Sequence, residues 1–348
     1  MEKFSTSRES ILETVHDEKL EKNGTRRYTL KSGETIEVNW KEFDPGKETC
    51  TDTSVVFLPG WAIGEQTEMV KNLSEAFSKN SKSPTYAVTS RAEQLRPSED
   101  SLKNQAEAIK EFIKERGIKE LILAGHSQGG DKAINVAAML QEDPSMKIKG
   151  VILLDSMGLY EQSPMGLAGH LAKDLIVDTP IGMTGFDMKN PAMRKWVREN
   201  TAMARKSIRS AIDIIIAIMK DVQKSRLDYP AKLIKEVREM AKANPNLGKL
   251  KMPIILMSGS QDPISNPEKM IAYNKEEGRP EESAGPIDSR EYYLRKNIFP
   301  ESPYVKMVVP EKFGHHSMPF FRAESVAKTS LYLLKRFENI SKTKTEGN

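Results

Sequence analysis

The segment Lys119–Asp131, KELILAGHSQGGD, constrains the fold of this chain more than any other stretch. Its apolar run, Leu121–Ala124, is typical of a strand that is buried on both faces of a parallel sheet. The run stops at Gly125, where a G-x-S-x-G pattern predicts a tight turn with Ser127 at its apex and a helix directly after it. Glycine is required on both sides of the serine because a side chain there would collide with the neighbouring strand or helix.

Strand and helix patterns alternate on both sides of this segment. The predicted strands are the apolar and β-branched runs at 53–58, 85–89, 121–124, 149–155, 251–258 and 304–309. The predicted helices have apolar residues three to four positions apart and cover 66–78, 101–116, 131–140 and 322–338. A glycine turn between the runs 26–30 and 35–40 indicates an initial β-hairpin. This order predicts an α/β fold with a mostly parallel central sheet flanked by helices.

The alternation stops between residues 156 and 248, where the pattern is helical and rich in methionine. We interpret this stretch as a helical cap inserted after the sixth core strand. The α/β core then comprises residues 25–155 and 249–340, with a polar leader at 1–24 and a disordered tail at 341–348. Within the core, the polar residues 274–297 are expected to form an excursion from the sheet.

Composition excludes several classes of protein. The N-terminus is charged throughout, and no apolar run is long enough for a signal peptide or a bilayer span, so we expect a cytoplasmic protein. Cys50 is the only cysteine, which rules out an internal disulfide. Because the chain contains no C-x-x-C, no H-E-x-x-H and no glycine-rich phosphate loop, we expect neither a metal nor a cofactor.

Positive charge is concentrated in the predicted cap. Residues 189–251 hold 16 Lys or Arg and 6 Asp or Glu, whereas the whole chain has a net charge of only +4. This excess is typical of a solvated helical surface, or it attracts anionic substrates or weakly contacts an anionic membrane surface. Aromatic residues are sparse there, so we expect no nucleic acid partner. The apolar run Ile212–Met219 favours a small-molecule substrate with an apolar part.

Ser127 can act as a nucleophile only if a base takes its proton and a third group orients that base. Of the five histidines, His315 and His316 come just after the last predicted strand. The carboxyl ends of parallel strands form the ligand crevice of open α/β sheets, so these two histidines should lie near the serine. His126 lies inside the turn itself and should point away from the apex serine.

Two aspartates follow predicted strands and could orient the base. Asp262 comes after the strand that follows the cap, and Asp155 ends the strand that precedes it. Both should therefore lie at the same edge of the sheet as Ser127. Asp262 and its alternative, Asp155, are therefore the candidates for the acid.

The order Ser, Asp, His along the chain, together with the hexapeptide Gly125–Gly130, resembles the α/β-hydrolase superfamily and in particular its esterases and lipases. The similarity runs from about Thr53 to Glu338. The segment Leu58–Trp61, LPGW, is similar to the first oxyanion loop of that superfamily, in which His-Gly is common where this chain has Pro-Gly.

The resemblance implies a role for each matched residue. Ser127 would be the nucleophile, Asp262 the acid and His315 the base, with His315 preferred over His316 because a glycine precedes it. The distance to the closing helix fits His316 nearly as well. The backbone N–H groups of Trp61 and Gln128 would form the oxyanion hole.

The resemblance also implies an α/β-hydrolase fold and a serine hydrolase that cleaves a carboxylic ester, or a related acyl bond, through an acyl-enzyme. An acyltransferase, a thioesterase and a carbon–carbon bond hydrolase use the same three residues. A non-catalytic protein of the same fold that binds a small ligand is a further alternative. The sequence does not separate these possibilities because the cap and the crevice decide the substrate.

Overall fold

The computed structural model describes residues 22–46, 52–60, 63–65, 67–92, 101–173, 235, 237–260, 262, 264–265, 287–310, 315, 319 and 322–346. The strands are β1 (Asn23–Thr29), β2 (Thr35–Phe43), β3 (Thr53–Leu58), β4 (Thr85–Ala92), β5 (Glu120–His126), β6 (Lys147–Leu154), β7 (Ile254–Met257) and β8 (Val305–Val308). The helices are α1 (Glu68–Ser81), α2 (Ser101–Glu115), α3 (Gln128–Leu140), α4 (Pro164–Lys173), α5 (Ile287–Asn297) and α6 (Ala323–Glu346).

All eight strands form one sheet in the order β1-β2-β4-β3-β5-β6-β7-β8. The pairs β1–β2 and β2–β4 are antiparallel, and the remaining pairs are parallel. The hairpin between β1 and β2 turns at Gly33, whose φ of 77° lies in the left-handed region that glycine tolerates best. The predicted α/β fold with a mostly parallel sheet is therefore confirmed.

Helices cover both faces of the sheet because the strands are apolar on both sides. In β3, Val56 and Leu58 face one layer, which includes α2, α3 and α5, whereas Val55 and Phe57 face the other layer, which includes α1 and α6. The same alternation continues through β5, β6 and β7. The buried strands explain why continuous apolar runs, rather than alternating ones, marked the core in the sequence.

The parallel strands bring their carboxyl ends to one edge of the sheet. Five residues of chemical interest follow these ends: Gly60 after β3, Ser127 after β5, Asp155 after β6, Asp262 after β7 and His315 after β8. Residues far apart in the chain thus converge at this edge.

The predicted cap, residues 156–248, joins β6 to β7, and only its two ends are described. Residues 174–234 lie outside the described residues, as do most of the predicted leader and the apolar run Ile212–Met219. The first end contains α4, and its Gln162 N–H donates a 2.7 Å hydrogen bond to the carbonyl of Ala241 at the other end. The two ends of the insertion are therefore in direct contact.

Two helices differ from the sequence expectation. α5 occupies the end of the segment that was expected to be a polar excursion. Its buried residues include Tyr293 and Leu294, but they are too few to give the helix a clear apolar period in the sequence. α6 continues to Glu346, into the predicted disordered tail, because no glycine or proline interrupts the chain before Gly347. Within the stretches that the structure describes, no helix has both the length and the apolar composition that crossing a bilayer requires.

Candidate active site

Ser127 occupies the turn between β5 and α3 in a strained backbone conformation, with φ 54° and ψ −125°. Three hydrogen bonds hold it there. Its N–H donates to the carbonyl of Leu154 at 3.0 Å, and its own carbonyl accepts from the N–H groups of Gly130 and Met157, both at 3.0 Å. The strain is thus balanced by contacts to the end of β6 and to Met157, which follows it.

Close backbone approach explains the glycines around this serine. A Cβ atom on Gly129 would lie 2.5 Å from the carbonyl oxygen of Pro59, and one on Gly125 would lie 2.6 Å from the Cα atom of Gly130. Both distances are far below van der Waals contact, and the neighbouring atoms belong to backbone that cannot move away. The collision expected from the sequence pattern is therefore confirmed.

Ser127, His315 and Asp262 form one buried chain of hydrogen bonds. The Ser127 Oγ lies 2.8 Å from the His315 Nε2, and the His315 Nδ1 lies 2.9 Å from the Asp262 Oδ2. An ionised carboxylate can only accept, so Nδ1 carries the imidazole proton and Nε2 is left to accept the proton of the Ser127 hydroxyl. This arrangement can take a proton from the serine and hold the imidazolium that results. His316 lies outside the described residues.

Hydrogen-bond donors around Asp262 stabilise its ionised form. Its Oδ1 accepts hydrogen bonds from the N–H groups of Ile264 at 2.7 Å and Ser265 at 3.2 Å, and its Oδ2 accepts from the Ser265 hydroxyl as well as from His315. Burial by itself raises the pKa of Asp262, but the charge and hydrogen bond of His315, with the other donors, outweigh burial and hold that pKa well below its usual range.

The start of the predicted cap supports the loop that carries Asp262. The Tyr160 hydroxyl and the Gln162 side-chain amide both donate to the carbonyl of Ile264, each at 3.0 Å. The N–H of the same residue donates to Asp262. Sequence analysis missed these two supports because each contact joins residues more than 100 positions apart and no local pattern marks it.

His126 supports the segment that carries His315. It is buried, its Nε2 lies 3.1 Å from the carbonyl oxygen of His315, and the two imidazole rings are 5.2 Å apart between centroids. A carbonyl can only accept, so Nε2 carries the proton. Sequence analysis placed this side chain away from Ser127 and assigned it no contact, although a histidine inside the turn was a visible signal.

Asp262, rather than the alternative acid Asp155, forms the 2.9 Å hydrogen bond with the His315 Nδ1. Asp155 is fully buried at the end of β6, with a φ of 43° and with its Oδ1 accepting a 2.8 Å hydrogen bond from the N–H of Gly259. Burial, followed by the negative charge of Asp262, raises the pKa of Asp155 well above its ordinary value.

Two backbone features lie beside the serine. Gln128 is the first residue of α3, and the N–H groups of a first helical turn have no acceptor inside the helix. Gly60 packs so closely that a Cβ atom there would lie 2.9 Å from the Cβ atom of Ser127. Trp61, the other residue of the expected oxyanion hole, lies outside the described residues.

In the portion of the chain that can be described, no group of three or more His, Cys, Asp or Glu side chains is arranged to hold a metal ion. The acidic and imidazole groups at the edge of the sheet are instead engaged with one another and with backbone N–H groups.

Comparison with known proteins gives one family match. Residues 89–283, which are more than half of the chain, match the model of a family described as serine aminopeptidase, S33. None of the curated proteins compared with the chain matches it.

Solved structures share the fold at low sequence identity. An esterase from Thermogutta terrifontis, solved with malate bound, has a TM-score of 0.52 and 16% identity over 90% of this chain and 98% of that one. An esterase from Pyrococcus furiosus has a TM-score of 0.51 and 12% identity over 90% of both chains. A membrane phospholipase A described as a bacterial virulence factor has a TM-score of 0.52 and 16% identity over 91% of this chain and 87% of that one.

Proposed function

Because this chain belongs to the serine aminopeptidase S33 family of the α/β-hydrolase superfamily, we propose that it is a serine hydrolase that cleaves a carboxylic ester or a related acyl bond. The observation that carries the proposal is the buried chain of hydrogen bonds from the Ser127 Oγ through His315 to Asp262. Such a chain activates a serine that is otherwise a weak nucleophile.

The first half of the proposed reaction forms an acyl-enzyme. The Ser127 Oγ attacks the carbonyl carbon of the substrate while the His315 Nε2 takes the hydroxyl proton, and the carboxylate of Asp262 stabilises the imidazolium. The substrate oxygen then carries a negative charge, which the N–H of Gln128, together with that of Trp61, would stabilise. Collapse of this intermediate expels the alcohol, which receives the proton from His315.

In the second half, water releases the acyl group. His315 takes a proton from the water molecule, the resulting hydroxide attacks the acyl carbon, and the proton returns to the Ser127 Oγ. Residues 155–162 carry both Met157, which binds the carbonyl of Ser127, and the groups that hold the Asp262 loop. The beginning of the cap therefore supports the geometry of both half-reactions.

A substrate with an apolar part is supported by the residues around the site. A separate buried apolar cluster consists of Leu102, Met157, Leu167, Val237, Met240, Ala241 and Ile264. Its members come from α2, from both ends of the cap and from the Asp262 loop, so the cluster lies beside the edge of the sheet that bears the serine. Burying an apolar acyl or alcohol group against such side chains contributes about 0.8 kcal/mol per methylene.

A fluorophosphonate probe tests the proposal. The wild-type protein should gain the mass of one phosphonyl adduct within minutes, because the probe reacts with serines that a neighbouring base has activated. The Ser127→Ala variant should gain none. Intact mass spectrometry measures both, and a thermal melt of the variant shows that it is folded.

A folded wild-type protein that forms no adduct would contradict the proposal and favour a non-catalytic protein that binds a small ligand. If the adduct forms, a panel of acetyl to octanoyl esters, a thioester and an aminoacyl amide identifies the acyl bond. Turnover that does not rise with acyl length would contradict the apolar substrate.

A further inference from the structure

Asp155 and Asp262 lie side by side at the ends of neighbouring strands. β6 and β7 pair through Leu154 and Met257, and the N–H of Asp155 donates to the carbonyl of Met257 at 2.8 Å. Gly259 links the two aspartates, because its N–H donates to the Asp155 Oδ1 at 2.8 Å and its carbonyl accepts the N–H of Asp262 at 3.1 Å. Both side chains are buried, and they are close enough for the negative charge of Asp262 to raise the pKa of Asp155.

One of the two carboxyl groups needs a bound proton. The Asp155 Oδ2 is fully buried, and within the described part of the chain no N–H or O–H group of another residue donates to it. The neighbouring carboxyl of Asp262 supplies no donor while it is ionised, because ionised carboxylates only accept hydrogen bonds. Two neighbouring buried carboxyl groups therefore favour a state in which one of them is protonated.

The surroundings decide which aspartate carries that proton. Asp262 accepts hydrogen bonds from Ile264, Ser265 and His315, all of which favour its ionised form. Among the residues that the structure describes, only Gly259 donates a hydrogen bond to Asp155. In the described part of the chain, the titratable groups that act on Asp155 are Asp262, which raises its pKa, and His315, which lowers it. Burial has a larger effect than either and favours the neutral acid.

We propose that Asp155 is a protonated positioning residue, whose carboxyl O–H donates a hydrogen bond to Asp262 and orients that carboxylate toward His315. It is therefore neither an ionised second acid nor a substitute for Asp262. The proposal rests on the proposed serine hydrolase function for its effect on catalysis, but the protonation of Asp155 can be tested without any activity.

Asparagine is the informative replacement for Asp155. Its amide N–H₂ can donate to Asp262 in place of the acid proton, and its oxygen can accept the hydrogen bond from Gly259. Asparagine also tolerates the φ of 43° at this position better than most other residues do. In the Asp155→Asn variant, fluorophosphonate labelling should therefore stay within about 3-fold of wild type, whereas in Asp262→Asn it should fall by about 10³-fold or more.

Glycine at the same position removes the donor without straining the backbone. The Asp155→Gly variant should label about 10-fold more slowly than wild type. Without the donor, the carboxylate of Asp262 attracts the imidazolium of His315 more strongly. The pH at which labelling reaches half of its maximum should therefore rise in Asp155→Gly. It should stay unchanged in Asp155→Asn. A merely structural role would not shift this pH.

Thermal stability tests the protonation directly. An aspartate in the unfolded chain ionises near pH 3.9, so above that pH wild-type Asp155 must take up a proton on folding. Its stabilising contribution is full below that pH and is lost as the pH rises toward the higher pKa of the folded state. The Asp155→Asn variant lacks this loss, so its Tm should exceed that of wild type by roughly 3 °C or more at pH 8 and by less than about 1 °C at pH 4.

The outcomes separate this inference from the proposed function. Labelling that falls in Asp155→Asn as far as in Asp262→Asn, or a Tm difference that does not change with pH, would overturn it and make Asp155 an ionised acid. If Asp155→Asn does not fold, Asp155→Gly can replace it in the thermal measurement. Glycine lowers the Tm by some amount that does not depend on pH, but the Tm of the variant relative to wild type should still rise between pH 4 and pH 8. If wild type does not label, the proposed function fails, whereas the thermal measurement still decides whether Asp155 is protonated.

Discussion

The His315→Ala variant is expected to lose about 10⁴-fold or more in kcat/KM on the best ester of the panel. The His315 Nε2 is 2.8 Å from the Ser127 Oγ and its Nδ1 is 2.9 Å from the Asp262 Oδ2, so alanine removes the base and separates the serine from its acid. Because the base acts in both half-reactions, acylation and deacylation should both slow. Steady-state turnover and the rate of fluorophosphonate labelling measure the loss.

His316→Ala is the matched control for this substitution. It removes an imidazole one position away from His315, and we expect turnover within about 3-fold of wild type because only one imidazole can occupy the position between Ser127 and Asp262. A loss in His316→Ala as large as that in His315→Ala would contradict the assignment of the base. Both variants should melt close to the wild-type temperature if the effect is catalytic.

Gly129→Ala is expected to lower the free energy of unfolding by at least about 3 kcal/mol and to leave little soluble protein. The added Cβ would lie 2.5 Å from the carbonyl oxygen of Pro59 and 2.6 Å from the carbonyl carbon of Leu58. Those atoms belong to the last residue of β3 and to the residue after it, and β3 is paired on both sides, so the strand cannot move away without breaking hydrogen bonds. Urea unfolding of the purified variant, or its yield in the soluble fraction, measures the effect.

Gly169→Ala tests whether alanine at a helical glycine is harmful in itself. Gly169 lies inside α4 and is exposed, and no described residue outside its own helix has an atom within 4 Å of an added Cβ. Alanine should therefore be neutral or should stabilise the protein by up to about 1 kcal/mol. Gly129→Ala with wild-type stability would mean that the close approach between α3 and β3 is absent.

The fold was predictable because its signals are local. The apolar run before Gly125 marks a strand buried on both faces, and the spacing of Met69, Leu73 and Phe77 marks the buried side of α1. Strand order was not predictable, since β4 lies between β2 and β3 and nothing in their own sequences states which neighbours they pair with. α5 escaped prediction because its stability comes from packing of a few residues such as Leu294 rather than from an apolar period.

The candidate site also has one part that the sequence predicts and another that it does not. The turn at Ser127 could be located from the sequence because its glycines and serine lie within five consecutive positions. The choice between Asp262 and Asp155, by contrast, depends on which carboxyl group reaches His315, which lies 53 positions after Asp262. The register of β6, β7 and β8 decides this contact. The contact of His126 with the carbonyl of His315 joins residues 189 positions apart and was equally invisible.

The hydrogen bond between Gln162 and Ala241 affects how the length of the insertion could vary among related proteins. The ends of the insertion meet beside two strands that are already paired, so the chain between them is a closed loop. The entropic cost of closing a loop grows only slowly with its length, by about 0.6 kcal/mol for each doubling. The length of the chain between residues 162 and 241 can therefore change at a low entropic cost, while the strands that carry Ser127, Asp262 and His315 stay paired.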